Sequence, residues 1–363
     1  MMNLAVKYRP QHFEDVVCQD NVKKVLSNQL QTGEIKQAYL FCGSSGTGKT
    51  TSARIFANDV NEGKGKPIEI DGASNNGVDN IRSIIDDCRM KSLDSKYKVY
   101  IIDEVHMLSI GAFNALLKVL EEPPKGVIFI LCTTDPHKIP ATILSRLQRF
   151  DFKRIPQFEI VQRLKYILDR ENKEIVQSCG CSRDATQDIT WAKKEGIEVI
   201  EYDTEALEYI AKLADGGMRD AIMKLDTVIG YTNNITLQAV LDCLGITNYE
   251  HLLKIVQGII NKQADEPIQI IDSIYRDGKD LKLFVKDLNK FVLDLCKLNI
   301  TRNKELTMIP TDIMRQCIHI ATNTSKYDLV DILDGVNNLL DKIKYEQNPK
   351  NLIESELIIL CLK

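Results

Sequence analysis

The segment GSSGTGKTT, residues 43–51, has the residue types and spacing of a phosphate-binding loop. In this pattern backbone N–H groups surround the phosphates, and a lysine reaches the β- and γ-phosphates. The apolar run before it predicts a buried strand, and the residues after it predict a helix whose N-terminus favours anions. The predicted phosphate-binding residues are Gly43, Ser44, Ser45, Gly46, Thr47, Gly48, Lys49, Thr50 and Thr51.

Two acids, Asp103 and Glu104, follow the apolar run VYII. Asp103 is placed to hold Mg²⁺ together with the Thr50 hydroxyl, and Glu104 to orient and polarise an attacking water. The alternative is that the two acids are simply exposed to solvent, which is common for an isolated Asp-Glu pair at the end of a strand. A phosphate loop upstream in the same predicted sheet favours hydrolysis over nucleotide binding alone.

Phosphoryl transfer also needs positive charge at the γ-phosphate. Two arginines are candidates: Arg146, at the end of a short predicted helix, and Arg219, at the start of another. Charged side chains are mostly solvated surface residues, so local chemistry alone does not select either one.

Alternating strand and helix patterns predict an α/β nucleotide-binding domain in which helices cover both faces of a parallel sheet. Further strands are predicted at residues 67–74, 98–104, 126–134 and 149–153, and helices at 77–90, 109–121 and 140–145. Beyond residue 155 the apolar spacing becomes helical. It predicts a small helical domain, interrupted by a polar surface loop at 172–195 that holds Trp191, and then a third, all-α domain.

Composition limits the functional classes. The 363 residues are 44% hydrophobic with a net charge of −4, so any binding of nucleic acid must be local or shared among subunits. No apolar run approaches the ~20 residues of a membrane span, and the N-terminus lacks the apolar stretch of a signal peptide. The ten cysteines are scattered, as expected for free thiols in a reducing compartment. We therefore expect a cytoplasmic protein.

Six motifs in order carry a family resemblance: VKYRPQHFEDVV, GSSGTGKTT, IEIDGASNNGVDNIR, KVYIIDEVHMLSIGAFNALLKVLEEPP, LCTTDPHKIPATILSRLQRF and GGMRDAI. Together they resemble the AAA+ clamp-loader ATPases of bacterial replication, the gamma/tau family of DNA polymerase III. The resemblance implies an AAA+ P-loop NTPase core at residues 1–155, a helical lid at 156–245 and a helical collar at 246–363. It also implies ATP and Mg²⁺ as cofactors.

The resemblance assigns further roles. Tyr8, Arg9 and Pro10 would border the adenine and ribose, Thr134 would be sensor 1, and Arg219 would be sensor 2 on ATP bound by the same chain. Arg146 would complete the site of a neighbouring subunit. The chain would hydrolyse ATP inside a ring, expected to be a pentamer of itself and other clamp-loader subunits, that opens a sliding clamp.

The segment SNNGVDNIR is similar to the family's DNA-facing segment. Contacts to the phosphate backbone of primer-template DNA are implied for Ser74, Asn75, Asn76, Gly77 and Arg82. Such contacts carry no sequence information, which suits a loader that acts at any primer junction. The alternative interpretation of Arg82 is a solvated helix residue that contacts no DNA.

The chain also departs from the family. The zinc module of the family is replaced in this chain by VNEGKGK, so no zinc is expected there. Elsewhere, Cys179 and Cys181 offer only two of the ligands of a tetrahedral metal site. Leu147 follows Arg146 where the family usually has cysteine. We expect a short, gamma-like protein. A virus is one source considered, and the protein would then act in the cytoplasm of the host. Two alternatives stay open: another AAA+ DNA motor, such as a helicase loader, and a non-hydrolysing structural subunit.

Overall fold

The computed structural model describes residues 3–90, 95–178, 196–245, 249–346 and 348–362. Its chain divides into two compact units, Met1–Asn233 and Asn234–Lys363. The first unit contains the predicted sheet domain and the predicted lid as far as residue 233. The second begins earlier than the expected boundary at residue 245.

A five-stranded parallel sheet forms the centre of the first unit, in the order β2-β3-β4-β1-β5. Its strands are β1 Ala38–Cys42, β2 Ile68–Asp71, β3 Lys98–Asp103, β4 Val127–Thr133 and β5 Gln148–Asp151. The helices around it are α1 Leu4–Lys7, α2 Asp20–Thr32, α3 Lys49–Val60, α4 Val78–Cys88, α5 Ile110–Glu121 and α6 Ala141–Leu144. Short 3₁₀ turns span Phe13–Asp15, Val105–Met107 and Pro136–Lys138. The predicted α/β fold is confirmed.

The strand register brings the ends of β1, β3 and β4, and with them the phosphate loop, Asp103 and Thr134, to one edge of this sheet. The end of β1 pairs with the end of β4, Cys42 opposite Thr133, and Ile102 near the end of β3 lies opposite Leu131. Because all strands are parallel, the loops that follow β1, β3 and β4 emerge side by side. Ligands of open α/β sheets bind in a crevice at this carboxyl edge.

Both faces of the sheet are buried, which explains why its strands read as continuous apolar runs. On one face Leu40, Tyr100 and Phe129 pack with residues of α4 and α5. On the other face Phe41 and Ile101 pack with residues of α2 and α3. Alternate residues of each strand therefore serve opposite layers.

The lid contains α7 Gln157–Ser178, α8 Thr204–Leu213 and α9 Met218–Tyr231, with a short strand β6 Glu201–Tyr202.

One expectation about the lid is wrong. The predicted polar loop beginning at Asn172 is helical as far as Ser178, and Asn172 is only 6% exposed. Its Nδ2 donates to the Ile200 carbonyl at 2.9 Å, and its Oδ1 accepts from the Ile200 N–H at 2.7 Å. Trp191, Cys179 and Cys181 lie outside the described residues.

Replacing Asn172 by alanine is expected to destabilise the first unit by about 1–3 kcal/mol, because a buried N–H and carbonyl of Ile200 would lose their partners. Lys173→Ala, at the exposed neighbouring position of the same helix, is the control. Urea denaturation followed by circular dichroism measures both. Equal transitions for the two variants would contradict the structural role of Asn172.

The second unit is helical. It comprises β7 Asn234–Ile235, α10 Leu237–Cys243, α11 Tyr249–Ile260, α12 Asp265–Arg276, α13 Leu281–Thr301, α14 Thr311–Asn323, α15 Lys326–Lys342 and α16 Pro349–Leu362, with a 3₁₀ turn at Lys304–Leu306. Phe284, Leu288, Phe291 and Leu295 recur at helical spacing on α13 and form part of one apolar core. No helix in the described ranges has the length and apolar character needed to cross a membrane.

Candidate nucleotide-hydrolysis site

The loop between β1 and α3 is shaped by close backbone packing. A Cβ on Gly43 would lie 2.5 Å from the Phe152 carbonyl oxygen, and one on Gly46, whose φ is +72°, would lie 3.0 Å from the Gly217 Cα. The Met218 N–H donates to the Gly46 carbonyl at 2.9 Å. Only glycine fits at these two positions, so the loop is held between Phe152, the residue directly after β5, and the residues at the start of α9.

Lys49 begins α3, and the residue is only 6% exposed. Its Nζ donates to the carbonyls of Gly43 and Ser44, each at 2.8 Å. Burial lowers the pKa of this ammonium, and the nearby carboxylates of Glu104 and Asp103 oppose that shift. The cation is thus centred in the loop that precedes a helix N-terminus, which is a geometry suited to phosphate.

The Thr50 hydroxyl and the Asp103 carboxylate meet beside this lysine. Thr50 Oγ1 donates to Asp103 Oδ2 at 2.7 Å, and the Glu104 N–H donates to Asp103 Oδ1 at 3.0 Å. Hydroxyl and carboxylate oxygens are ligands that Mg²⁺ accepts, together with phosphate oxygens. The donor set therefore fits the expected magnesium ion, with Thr50 and Asp103 as its protein ligands.

The Glu104 carboxylate is held by Thr134, the residue directly after the neighbouring strand β4. Its Oε2 accepts from Thr134 Oγ1 at 2.9 Å and lies 3.3 Å from His106 Nδ1. His106 is 10% exposed in its side chain and also contacts the Thr133 hydroxyl at 3.2 Å. Thr134 and Glu104 were both expected here. His106 was not, although its position two residues after Glu104 was a usable signal.

The segment expected to border the base is fastened to the lid. The Tyr8 hydroxyl donates to Glu171 Oε1 at 2.6 Å, and Arg163 Nη2 donates to the Tyr8 carbonyl at 3.0 Å. Lys7 Nζ lies 2.7 Å from the same Glu171 oxygen. Burial, together with Glu171, raises the pKa of Tyr8. Glu171 and Arg163 carry no local sequence signal, because their partners lie far away along the chain.

These groups share one cavity of about 470 Å³. Its lining includes Tyr8, Arg9 and Pro10, the loop residues 45–51, both acids, and Arg219 from the first turn of α9. The cavity thus brings together the predicted base, magnesium and sensor 2 residues with the predicted phosphate residues 45–51, whereas Gly43 and Ser44 meet them through Lys49. Thr134 joins them through Glu104.

Arg146 lies elsewhere, outside the set of described residues that line this cavity. Its Nη2 is 2.6 Å from Glu121 Oε1, and its Nη1 donates to the Thr142 carbonyl at 2.5 Å. Within this chain Arg146 therefore does not face the nucleotide site. Any action on a phosphate would require another copy or another subunit.

The predicted DNA-facing segment begins after β2 and runs into the first turns of α4, also outside the described lining of the cavity. Ser74 Oγ donates to Asp71 Oδ2 at 2.7 Å, and Asn75 Nδ2 donates to the Asp71 carbonyl at 3.1 Å. Gly77 forms the N-cap of α4.

The two remaining members of that segment also have partners. The Asn76 carbonyl accepts from the Ser109 N–H at 3.1 Å, and the exposed Arg82 pairs with Asp79 at 3.2 Å. A contact to DNA phosphate would have to displace this weak surface pair.

Comparison with known proteins assigns the family. Family models match residues 66–156 (DNA polymerase III, delta subunit), 195–234 (DNA polymerase III clamp loader subunit, ATPase lid domain) and 235–362 (DNA polymerase III subunits gamma and tau domain III). The Thermotoga maritima RuvB Holliday junction branch migration motor, a solved structure, has a TM-score of 0.47 at 23% identity over 70% of this chain and 79% of that chain. That likeness is too small to carry a conclusion.

Relatives match over nearly the whole chain. DNA polymerase III subunit tau of Bacillus subtilis is 36% identical over 98% of this chain and 62% of its own length. DNA polymerase III subunit gamma of Buchnera aphidicola subsp. Acyrthosiphon pisum is 33% identical over 98% of this chain and 97% of its own length. The chain thus spans less than two thirds of the longer tau protein and almost all of the gamma protein. It belongs to the gamma/tau family of DNA polymerase III clamp-loader subunits.

Proposed function

We propose that this chain binds and hydrolyses MgATP as a motor subunit of a clamp loader, which opens a sliding clamp and loads it onto primer-template DNA. One observation carries the proposal. Lys49, the Thr50–Asp103 pair and a Glu104 held by Thr134 converge on one edge of the sheet. A site for binding alone has no need of an oriented glutamate beside the magnesium ligands.

The proposed chemistry assigns one task to each group. Lys49 and the loop N–H groups bind the β- and γ-phosphates. Thr50 and Asp103 would hold Mg²⁺, which when bound supplies positive charge to the phosphate oxygens. Glu104 orients the attacking water, and its contact with Thr134 fixes the direction of the carboxylate. Arg219 approaches the phosphates from the lid.

The proposed partners are other clamp-loader subunits in a ring, a sliding clamp and primer-template DNA. Size-exclusion chromatography of the chain with these subunits and the clamp, with and without MgATP, tests assembly. Hydrolysis is then measured with and without primed DNA. We expect an ATP-dependent complex whose ATPase is stimulated by clamp and primed DNA. A clamp-independent ATPase would favour another DNA motor, and an assembled but inactive site would favour a structural subunit.

Arg146→Ala is expected to leave the ATP affinity of the isolated chain within about twofold, because this guanidinium pairs with Glu121 outside its own site. In the assembled ring, hydrolysis should fall by about 10³-fold or more, as for arginine fingers that act across a boundary. Arg149→Ala removes a neighbouring exposed arginine that pairs with Asp151, and is the control. Loss of ATP binding by isolated Arg146→Ala would overturn the action in trans.

A further inference from the structure

Two consecutive residues before α2 adopt the left-handed backbone conformation without being glycine. Cys18 has a φ of +57° and Gln19 a φ of +59°. Such a conformation is unfavourable for both residue types, and it persists where the surrounding structure holds it. Gln19 is also only 8% exposed. A strained, buried, polar residue next to a binding site needs a physical reason.

The Gln19 side chain bridges two backbone segments. Its Nε2 donates to the Lys153 carbonyl at 2.7 Å and to the Thr47 carbonyl at 3.3 Å, while its Oε1 accepts from the Lys153 N–H at 3.1 Å. Thr47 is a buried member of the phosphate loop. Lys153 follows β5 on the path to the lid. One amide therefore ties the loop to the segment that leads into the lid.

That segment reaches the phosphate loop by a second route. The Ile155 N–H donates to the Gly216 carbonyl at 3.1 Å, and two residues later the Met218 N–H donates to the Gly46 carbonyl at 2.9 Å. The loop is thus held through Thr47 by Gln19 and through Gly46 by the lid. Both connections run through the residues that follow β5.

We propose that Gln19 is a positioning residue for the nucleotide. Its amide holds the phosphate loop and the segment that leads from β5 into the lid in the relative position that retains bound MgATP. Gln19 does not belong to the described lining of the cavity, so it acts through Thr47 and Lys153. The inference rests on the proposed nucleotide site. Without the amide, loop and lid move more independently and bound nucleotide leaves faster.

A matched control lies in the helix that Gln19 precedes. Gln29 is also 8% exposed and also uses its amide, which bonds Gln148 Oε1 at 2.9 Å and the Tyr39 hydroxyl at 3.1 Å. Tyr39 and Gln148 stand near the starts of β1 and β5, away from the nucleotide edge. Loss of either glutamine removes buried hydrogen bonds, but only Gln19 touches the phosphate loop.

The experiment measures dissociation of mant-ATP in Mg²⁺ by stopped flow, with the full chain and below the unfolding transition of every variant. We expect Gln19→Leu to release nucleotide about tenfold faster, the effect of losing one well-made buried hydrogen bond. Gln29→Leu should stay within about twofold of the unsubstituted chain, although both variants unfold at lower urea concentrations.

Gln19→Gly separates the effect of losing the amide from the effect of the strained backbone. Glycine adopts the left-handed conformation without strain, so this variant should fold even where leucine does not, and it should still release mant-ATP about tenfold faster. Gln19→Asn keeps an amide and tolerates the same backbone, but it is one methylene too short to make both contacts. We expect it to behave like the glycine variant.

Two results would overturn the inference: release from Gln19→Gly at the unsubstituted rate, or equal acceleration in the Gln19 and Gln29 variants, which would indicate general destabilisation. Lys49→Ala in the same assay separates this inference from the proposed function. If Lys49→Ala binds mant-ATP normally, the nucleotide site itself is misassigned. If it does not bind and Gln19→Gly is normal, only the role of Gln19 is wrong.

Discussion

Lys49→Ala is expected to weaken MgATP binding by at least about 100-fold, which leaves no measurable hydrolysis. The ammonium is the buried cation at the centre of the phosphate loop, and its hydrogen bonds to loop carbonyls place it where phosphate oxygens would enter. A hydrogen bond to a charged group is worth about 1.5–3 kcal/mol, and this lysine would make more than one. Isothermal titration calorimetry with MgATP provides the measurement.

Lys49→Met keeps the volume of the side chain and removes only the charge, so it controls for a cavity left by alanine. Burial lowers the pKa of Lys49, so the folded chain holds this proton less tightly than the unfolded chain does. At neutral pH the charged lysine therefore opposes folding. We expect Lys49→Met to be as stable as the unsubstituted chain or more so, yet unable to bind MgATP. Normal binding by this variant would exclude the charge as the phosphate anchor.

The second large effect is expected for Glu104→Gln, which should bind MgATP nearly as well as the unsubstituted chain but hydrolyse it about 10²–10⁴-fold more slowly. Glutamine keeps an oxygen that can accept from Thr134, so the local geometry survives. It loses the negative charge that polarises water. Nucleotide affinity and single-turnover hydrolysis in the assembled ring, measured on the same preparation, separate binding from chemistry.

Glu69→Gln is the control for Glu104→Gln. Glu69 also lines the cavity, but it belongs to β2 and forms an ion pair with Arg54. Removing this charge should leave the rate of hydrolysis within about an order of magnitude, because a partly exposed pair contributes little. Equal rate losses in both variants, or an equal loss of MgATP affinity in Glu104→Gln and Lys49→Ala, would contradict water activation by Glu104.

The local parts of the site could be predicted because one short segment contains each of them. The spacing of the glycines and Lys49, between an apolar run and a helical pattern, is enough to predict the loop. Asp103 and Glu104 end an apolar strand in the same way. Strand β1 ends at Cys42, directly before the loop, as the apolar run there predicts, whereas β2 ends at Asp71 rather than at residue 74. The Asp71 side chain accepts from the Ala73 N–H and the Ser74 hydroxyl, which turns the chain away from the sheet.

The lid shows where sequence patterns mislead. Asn172 opens a polar stretch and was predicted to begin a surface loop, yet it is buried inside α7. Its amide is satisfied by the backbone of Ile200, and no local pattern announces a partner at that distance along the chain. A buried amide with both of its groups paired is compatible with a helix interior. The same amide without its partner would favour a loop.

The sequence by itself determined the α/β core, the phosphate loop, the two acids and the mainly helical character of the described residues after 155, because these depend on residue types at short spacing. Tertiary structure alone decided which distant groups meet them. Gln19 reaches Lys153 across 134 residues, and Tyr8 reaches Glu171 across 163. Such contacts form only when the parallel sheet brings separate loops to one edge, and the lid folds back onto them. Hydrogen bonding is short-ranged, so its partners are set by the folded backbone and not by neighbours in sequence.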